Sequence, residues 1–503
     1  MKKLMVAAVF AAGLVAGVEA APTDAVTKAD LQVLIERLAK LEAENKAQAK
    51  RIAELEAADK KCVVAAPAAT SAATAVAMDE GTTTNDTGRI YTTDQGFKYY
   101  LADKAAGIFE PLTESGLKFQ PYGYLVLEGI YNTHGTDYPM YTDYVRPKNA
   151  ANHGGKDHTA TLSVNDSILG FNIFTPETSY GWKFNGKFEF DLAGANANKT
   201  DFHVRHLFWN MEHESGWSIL FGQTWHLWKM VSPSEIDGAW MENTGYPYRR
   251  SPQIRVTKKW EWEDSSLEAR VGLVKNGPGM GGDRDGNGTE NNEQSAWCLF
   301  EGALIYDHVA AWEDNGRRWL FGVAGQYGRD NSHRQSGVSA GGDPIYDGPD
   351  DSYNSDMVMF AASIPLFEKF TLCGQVFAGE NLGGVQAGVG QNIAFRDPYR
   401  KGREVTTVGG FADLRYDLNE TWAFAVGYGF DNPSVRNSDA VIDTRGDFGG
   451  ITYNDRSYID VFYQWNANLH FGLEYAYLTT DYVDAYGEDN DSHRFQFSVY
   501  YDF

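Results

Sequence analysis

From Leu117 to Phe503 the chain alternates apolar with polar or small residues at a period of two, the repeat of strands that are greasy on one face. The last segment is the plainest: His493, Phe495, Phe497, Val499, Tyr501 and Phe503 alternate with Arg494, Gln496, Ser498, Tyr500 and Asp502. The same dyad runs through Leu469, Phe471, Leu473, Tyr475 and Tyr477, through Ile459, Val461, Tyr463 and Trp465, and through Trp422, Phe424, Val426, Tyr428 and Phe430. Sixteen such segments are predicted, near positions 117, 162, 181, 201, 217, 253, 266, 295, 318, 355, 369, 406, 421, 456, 468 and 492.

The connections between them alternate in length. Short ones carry turn chemistry, such as EHESG after Met211, LNET after Tyr416 and WNAN after Gln464. Long ones, at 132–161, 227–251, 276–294, 329–353, 381–404, 432–454 and 481–491, are rich in Gly, Asp and Asn. The connection after Leu192, which is short, and the longer turn from Asp307 to Arg317 depart from the rule. An even number of antiparallel strands with short turns on one rim and long loops on the other predicts an all-β fold, a sixteen-stranded transmembrane β-barrel over 117–503. Such a barrel pairs every backbone group and has no edge. A soluble sandwich, propeller or solenoid also yields alternating strands, but its core would favour aliphatics over the rings that crowd the greasy face here.

Upstream the pattern changes twice. Residues 1–20 read as a secretory signal, with Lys2 and Lys3, an apolar run from Leu4 to Val18 and a small-residue cleavage site before Ala21. In 21–62, Leu31, Leu38, Asn45 and Ile52 recur at one heptad position and Leu34, Leu41, Gln48, Leu55 and Cys62 at another. That repeat predicts a short α-helical coiled coil preceding the barrel, a single amphipathic helix being the other reading. Residues 63–116 are a linker and pre-barrel segment, and 89–116 within it carry no readable pattern.

Composition narrows the class. Rings make up 14% of the 503 residues although mean hydropathy is −0.42, a combination that suits an interface between lipid and water. A formal charge of −24 argues against nucleic acid as a partner. Cys62, Cys298 and Cys373 are too far apart in sequence for a disulfide framework or a clustered zinc site, leaving Cys62 to link neighbouring subunits if it links anything. None of the 11 histidines stands in a recognisable spacing with a serine and an acid, so the chain is not expected to be an enzyme.

On these residues the chain resembles the sixteen-stranded trimeric porins of Gram-negative outer membranes. The closing FQFSVYYDF is similar to that family's last strand, which implies recognition of Phe503 by the outer-membrane assembly machinery. The resemblance further implies a homotrimer in outer-membrane lipid, a periplasmic N-terminal segment, and passive diffusion of small hydrophilic solutes, with no cofactor.

In such porins the loop at the third long-connection position folds inward, and here the segment at that position, after the fifth strand, reads HLWKMVSPSEIDGAWMENTGYPYRR. Glu235 and Asp237 give it negative charge, Arg249 and Arg250 close it, and Trp228 and Trp240 offer flat stacking surfaces. By parity, Phe202, Val204 and Phe208 face lipid, which turns His203 and Arg205 inward. The same argument turns Arg255, Lys259 and Arg270 inward and Lys258 outward, a position that calls for a subunit contact or a bulge. A basic wall facing an acidic loop would set a transverse field that favours small anionic solutes, though the same cations also serve as partners of Glu261 and Glu268. The alternative solute is a sugar stacking on Trp228 and Trp240. A structural tether to the cell wall explains the coiled coil but not the barrel. Asp283, Asp285, Asn287 and Thr289 begin a calcium-loop pattern, with Gln294 where that pattern places Glu; a hydrophilic turn is the plainer reading.

Overall fold

A computed structural model describes residues 118–503 except 152–153, 176–179, 194–199, 276–297, 310–316, 334–335, 339–343, 346–347, 395–398, 435–449 and 484–486. The expected signal, coiled coil, linker, Cys62 and the calcium-loop residues Asp283, Asp285, Asn287 and Thr289 lie outside the described residues. The first eight strands are β1 (Lys118–Asn132), β2 (Thr159–Ser163 and Ile168–Phe174), β3 (Trp182–Asp191), β4 (His203–His213), β5 (Trp217–Trp225), β6 (Arg250–Glu261), β7 (Ser265–Val274) and β8 (Leu299–Val309). The second eight are β9 (Arg318–His333), β10 (Asp350–Leu366), β11 (Phe370–Glu380), β12 (Thr406–Asp417), β13 (Trp422–Ser434), β14 (Ile451–Gln464), β15 (Leu469–Tyr482) and β16 (Asn490–Asp502). Each predicted segment holds one of them.

Every strand pairs antiparallel with its neighbours in the chain, and β16 returns to β1 in a register that sets Tyr124 opposite Asp502 and Asn132 opposite Arg494. The sheet is therefore a closed sixteen-stranded barrel, with its edges abolished. Among the described residues no helix is long and apolar enough to cross a membrane; the crossing is by strands.

Alternation sorts the two faces as the sequence predicts. Leu473, Ile459, Phe497, Val426 and Tyr501 are exposed on the outside, and their chain neighbours Glu474, Asp460, Gln496, Ala425 and Asp502 are buried within. Three irregularities interrupt the ladders, one of them at Thr452 of β14, where Ile451 pairs with Tyr482 and Tyr453 with Asp481. In β2, four residues (164–167) face three of β1 (125–127), because Tyr124 pairs with Ile168 and Glu128 with Ser163. The Ser167 hydroxyl accepts the Val126 N–H there at 3.1 Å. In β4 the register slips between the pairs Glu189 with His206 and Phe190 with Val204, so Arg205 is the extra residue of a bulge. Phe202 stays outside as expected, but beyond the bulge the phase inverts: Phe208 is buried inside, while Leu207 and Trp209 face out. The lipid-side assignment of Phe208 is corrected accordingly.

The connections between β1 and β2 (L1), β5 and β6 (L3) and β11 and β12 (L6) carry long buried stretches. L6 contains two 3-10 turns, Gly383–Val385 and Gly388–Gly390. The barrel thus has no single apolar core; its interior packing is between infolded loops and inward side chains.

Candidate functional site

L3 leaves β5 over a peg of fully buried polar groups. His226 donates from Nδ1 to Glu301 of β8 at 2.5 Å and accepts at Nε2 from the Ser251 hydroxyl of β6 at 2.9 Å. The second Glu301 oxygen accepts the Leu227 N–H at 2.9 Å, and the Trp228 indole donates to Glu301 at 3.2 Å and Gln326 at 3.1 Å. Ser251, His226 and Glu301 have the connectivity of a hydrolytic relay, which sequence spacing did not reveal. All three are buried, Ser251 at 4% exposure, so a carbonyl substrate has no approach and the group acts as a hinge pin for L3.

From there L3 crosses to the far wall and is tied down by its backbone. Ser234 N–H donates to Asp413 at 2.9 Å, Ile236 N–H to Asp460 at 3.1 Å and Asp237 N–H to Glu474 at 2.9 Å. Tyr246 returns the chain onto the outgoing limb, its hydroxyl donating to the Val231 carbonyl at 3.0 Å. At the tip, Trp240, Met241 and Asn243 all have positive φ, a conformation these residues adopt at a cost and that the surrounding contacts must hold. Gly245, at φ 113°, has no room for a side chain, since a Cβ would run into the Gly410 carbonyl.

The acidic pair meets cations other than those expected. Asp237 binds Arg456 of β14 at 2.7 Å and Arg494 of β16 at 3.1 Å, and Arg456 also reaches Glu474 of β15 at 2.7 Å. Glu235 lies 2.6 Å from Arg456 Nε, though neither atom is in hydrogen-bond geometry. Burial opposes the charge on Asp237, but Arg494 and Arg456 outweigh it and hold the carboxyl below its usual range. For Glu235 burial prevails over Arg456, and the carboxyl is pushed well up. Arg494 also donates to the carbonyls of Pro139 at 3.2 Å and Met140 at 2.8 Å in L1, and Asn454 donates to the carbonyls of Asp143 at 2.7 Å and Asn243 at 2.8 Å. The wall of β14–β16 therefore clamps L1 and L3 together.

Asp143 completes that clamp by accepting from Asn243 at 3.1 Å. Burial pushes its carboxyl up to about 7, with the Asn243 bond opposing the shift. An acid raised in the folded state stabilises below its unfolded pKa of about 4 and loses that contribution as pH rises through the folded value. Hydrogen exchange of the L1 amides should therefore quicken, beyond its intrinsic pH dependence, between pH 5 and 8. Asp143→Asn should flatten that excess, and an unchanged profile would remove Asp143 from the clamp.

The predicted basic wall is present on the opposite side, with unequal charges. Arg205 is spent on Glu189 at 2.7 Å and Asp191 at 2.8 Å, its guanidinium 6.0 Å from the Trp240 ring. Lys259 pairs with Glu261 at 2.9 Å, and Arg270 pairs with Glu268. Arg255 faces inward beside Leu220 and Gly272 and is half-buried. Arg249 is close enough to Glu242 to favour its ionised form against burial. Arg250 stacks 4.3 Å from the Trp225 ring and 5.3 Å from Tyr248, and is in no ion pair among the described residues. The Trp228 ring is 1% exposed and Trp240 4%, which leaves neither face open for stacking.

No protein-family model matches the chain, and no curated protein does either. Among solved structures, the outer membrane channel DcaP of Acinetobacter baumannii matches with a TM-score of 0.56 and 17% identity, over 78% of this chain and 99% of that one. The chain has the outer-membrane porin fold. OmpT, an outer membrane protein of Vibrio cholerae, matches at TM-score 0.47 and 14% identity, over 78% of this chain and 100% of that one. An anion-selective porin from Comamonas acidovorans matches at 0.45 and 10%, over 77% and 100%. At these identities the likeness is one of fold; the charges that line this porin barrel are its own.

Proposed function

We propose that the protein is an outer-membrane porin through which small hydrophilic solutes diffuse passively, small anions being favoured. The reading rests on Arg250, a cation in no ion pair among the described residues, held against Trp225 and Tyr248 at the base of L3 within the field of Asp191 and Glu242, with Arg249 and Arg255 beside it in the chain and on the same strand. A guanidinium fixed on rings keeps its charge, and Arg250 Nη1 has no hydrogen-bond partner among the described residues, so its field is left for a passing carboxylate or phosphate. Arg205, Lys259 and Arg270 are already matched by carboxylates and add less to the field, while Glu235 and Asp237 act as anchors. In planar bilayers under a salt gradient, Arg250→Ala and Arg255→Ala should each move the reversal potential toward cation preference. Unchanged potentials in both variants would overturn the anion reading. Liposome swelling with dicarboxylates and with oligosaccharides of equal size separates this from a sugar pore.

The assembly belongs to the same proposal: a homotrimer in outer-membrane lipid, delivered by a signal at 1–20, with a periplasmic coiled coil at 21–62 and Phe503 read by the assembly machinery. Phe503 exchanges two backbone bonds with Gly123, at 3.0 and 3.2 Å, and its ring lies on the outside, where another protein can reach it.

A further inference from the structure

Lys258 is the cation that parity sends outward, and neither a bulge nor an ion pair accounts for it. Its register is unbroken, opposite Trp217 on one side and Ala269 on the other, and it is in no ion pair among the described residues. The pairs Trp182 with His213, His213 with Trp217 and Trp217 with Lys258 run on from strand to strand. They form one continuous row on the outer face of β3–β6, each within three residues of a strand end at the rim of short turns. Trp182 and His213 lie 4.9 Å apart, and Lys258 Nζ is 5.5 Å from the Trp217 ring and 5.6 Å from Trp260. Trp217 and Trp260 are exposed, and the ammonium donates to the Ser215 carbonyl in the turn below.

An ammonium has three N–H donors, so this one keeps two for an external acceptor. In hydrocarbon they would go unmet at considerable cost; at headgroup height a phosphate satisfies them while the indoles take the glycerol and upper acyl region. We propose that this row is a binding site for an anionic phospholipid of the periplasmic leaflet, its phosphodiester on Lys258. The site rests on the barrel lying in a bilayer and not on which solutes cross it.

Native mass spectrometry of the full chain, mixed in detergent with phosphatidylglycerol or phosphatidylcholine, tests it. Phosphatidylglycerol adducts should exceed phosphatidylcholine adducts, fall at least fivefold in Lys258→Ala, and persist in Lys258→Arg and in the inward control Lys259→Ala. Heat-modifiable gel mobility confirms that each variant is folded, and channel conductance should be unchanged by Lys258→Ala. Equal adducts in Lys258→Ala, or equal binding of the two lipids, overturns the proposal. So does an oligomer that dissociates in Lys258→Ala while the unaltered protein carries no adduct, since the row would then face a second copy.

Discussion

Replacing Arg456 with methionine should weaken the barrel by about 3–5 kcal/mol, because it strips the partner from carboxylates that are themselves fully out of water. Among the described residues, Arg456 is the one side chain that contacts Glu235, Asp237 and Glu474 together. Without it, L3 is held to β14 and β15 by its backbone bonds to Asp460 and Glu474 alone, and the conductance of the variant should become noisier as the loop samples other positions. The two acids of L3 should respond unequally. Glu235 already tends to hold its proton, so Glu235→Gln is expected to cost little, whereas Asp237→Asn removes a charge that Arg456 and Arg494 both use. Refolding titrations into lipid vesicles, with single-channel traces beside them, check both statements. Equal effects of the two acid variants would mean that the anchor is not built around Asp237.

Arginine at Leu473 should be as damaging from the opposite face. Leu473 is 54% exposed and flanked by Val461 and Phe497 on the neighbouring strands, in the middle of the outer belt. Near the bilayer midplane such a substitution costs about 2–4 kcal/mol, falling to about 0–1 at the interface. Thr479→Arg, on the same face but close to the long-loop rim, should therefore be mild. Vesicle refolding reads the difference, and parity between the two variants would contradict a lipid-facing belt at Leu473.

The strands were legible because each turns one face to lipid, and a period of two survives any error in the ends. Position around the ring was not legible. Parity says that Arg456 and Arg494 point inward but not that L3 crosses to them, since loop path depends on contacts over more than 200 residues of sequence, such as Ile236 with Asp460. The nearer cations Arg205, Arg255 and Arg270 therefore looked like the partners of Glu235 and Asp237. The bulge at Arg205 left no mark in the hydropathy pattern and reversed Phe208. Trp228 carries the same letter whether it stacks on a solute or caps Glu301; only burial separates the two. The Ser251, His226 and Glu301 peg has no sequence signature because its members come from three separate elements.

The pairing of β1 with β16 joins residues more than 360 positions apart, as Asn132 with Arg494. Closure cannot precede synthesis of the final segment, so every product that lacks the last strand keeps two bare strand margins that no amount of local folding can hide. The cell thereby gains a simple means of proofreading, since a finished cylinder and an unfinished ribbon differ at a single seam, and only the ribbon offers a sticky border to proteases and chaperones.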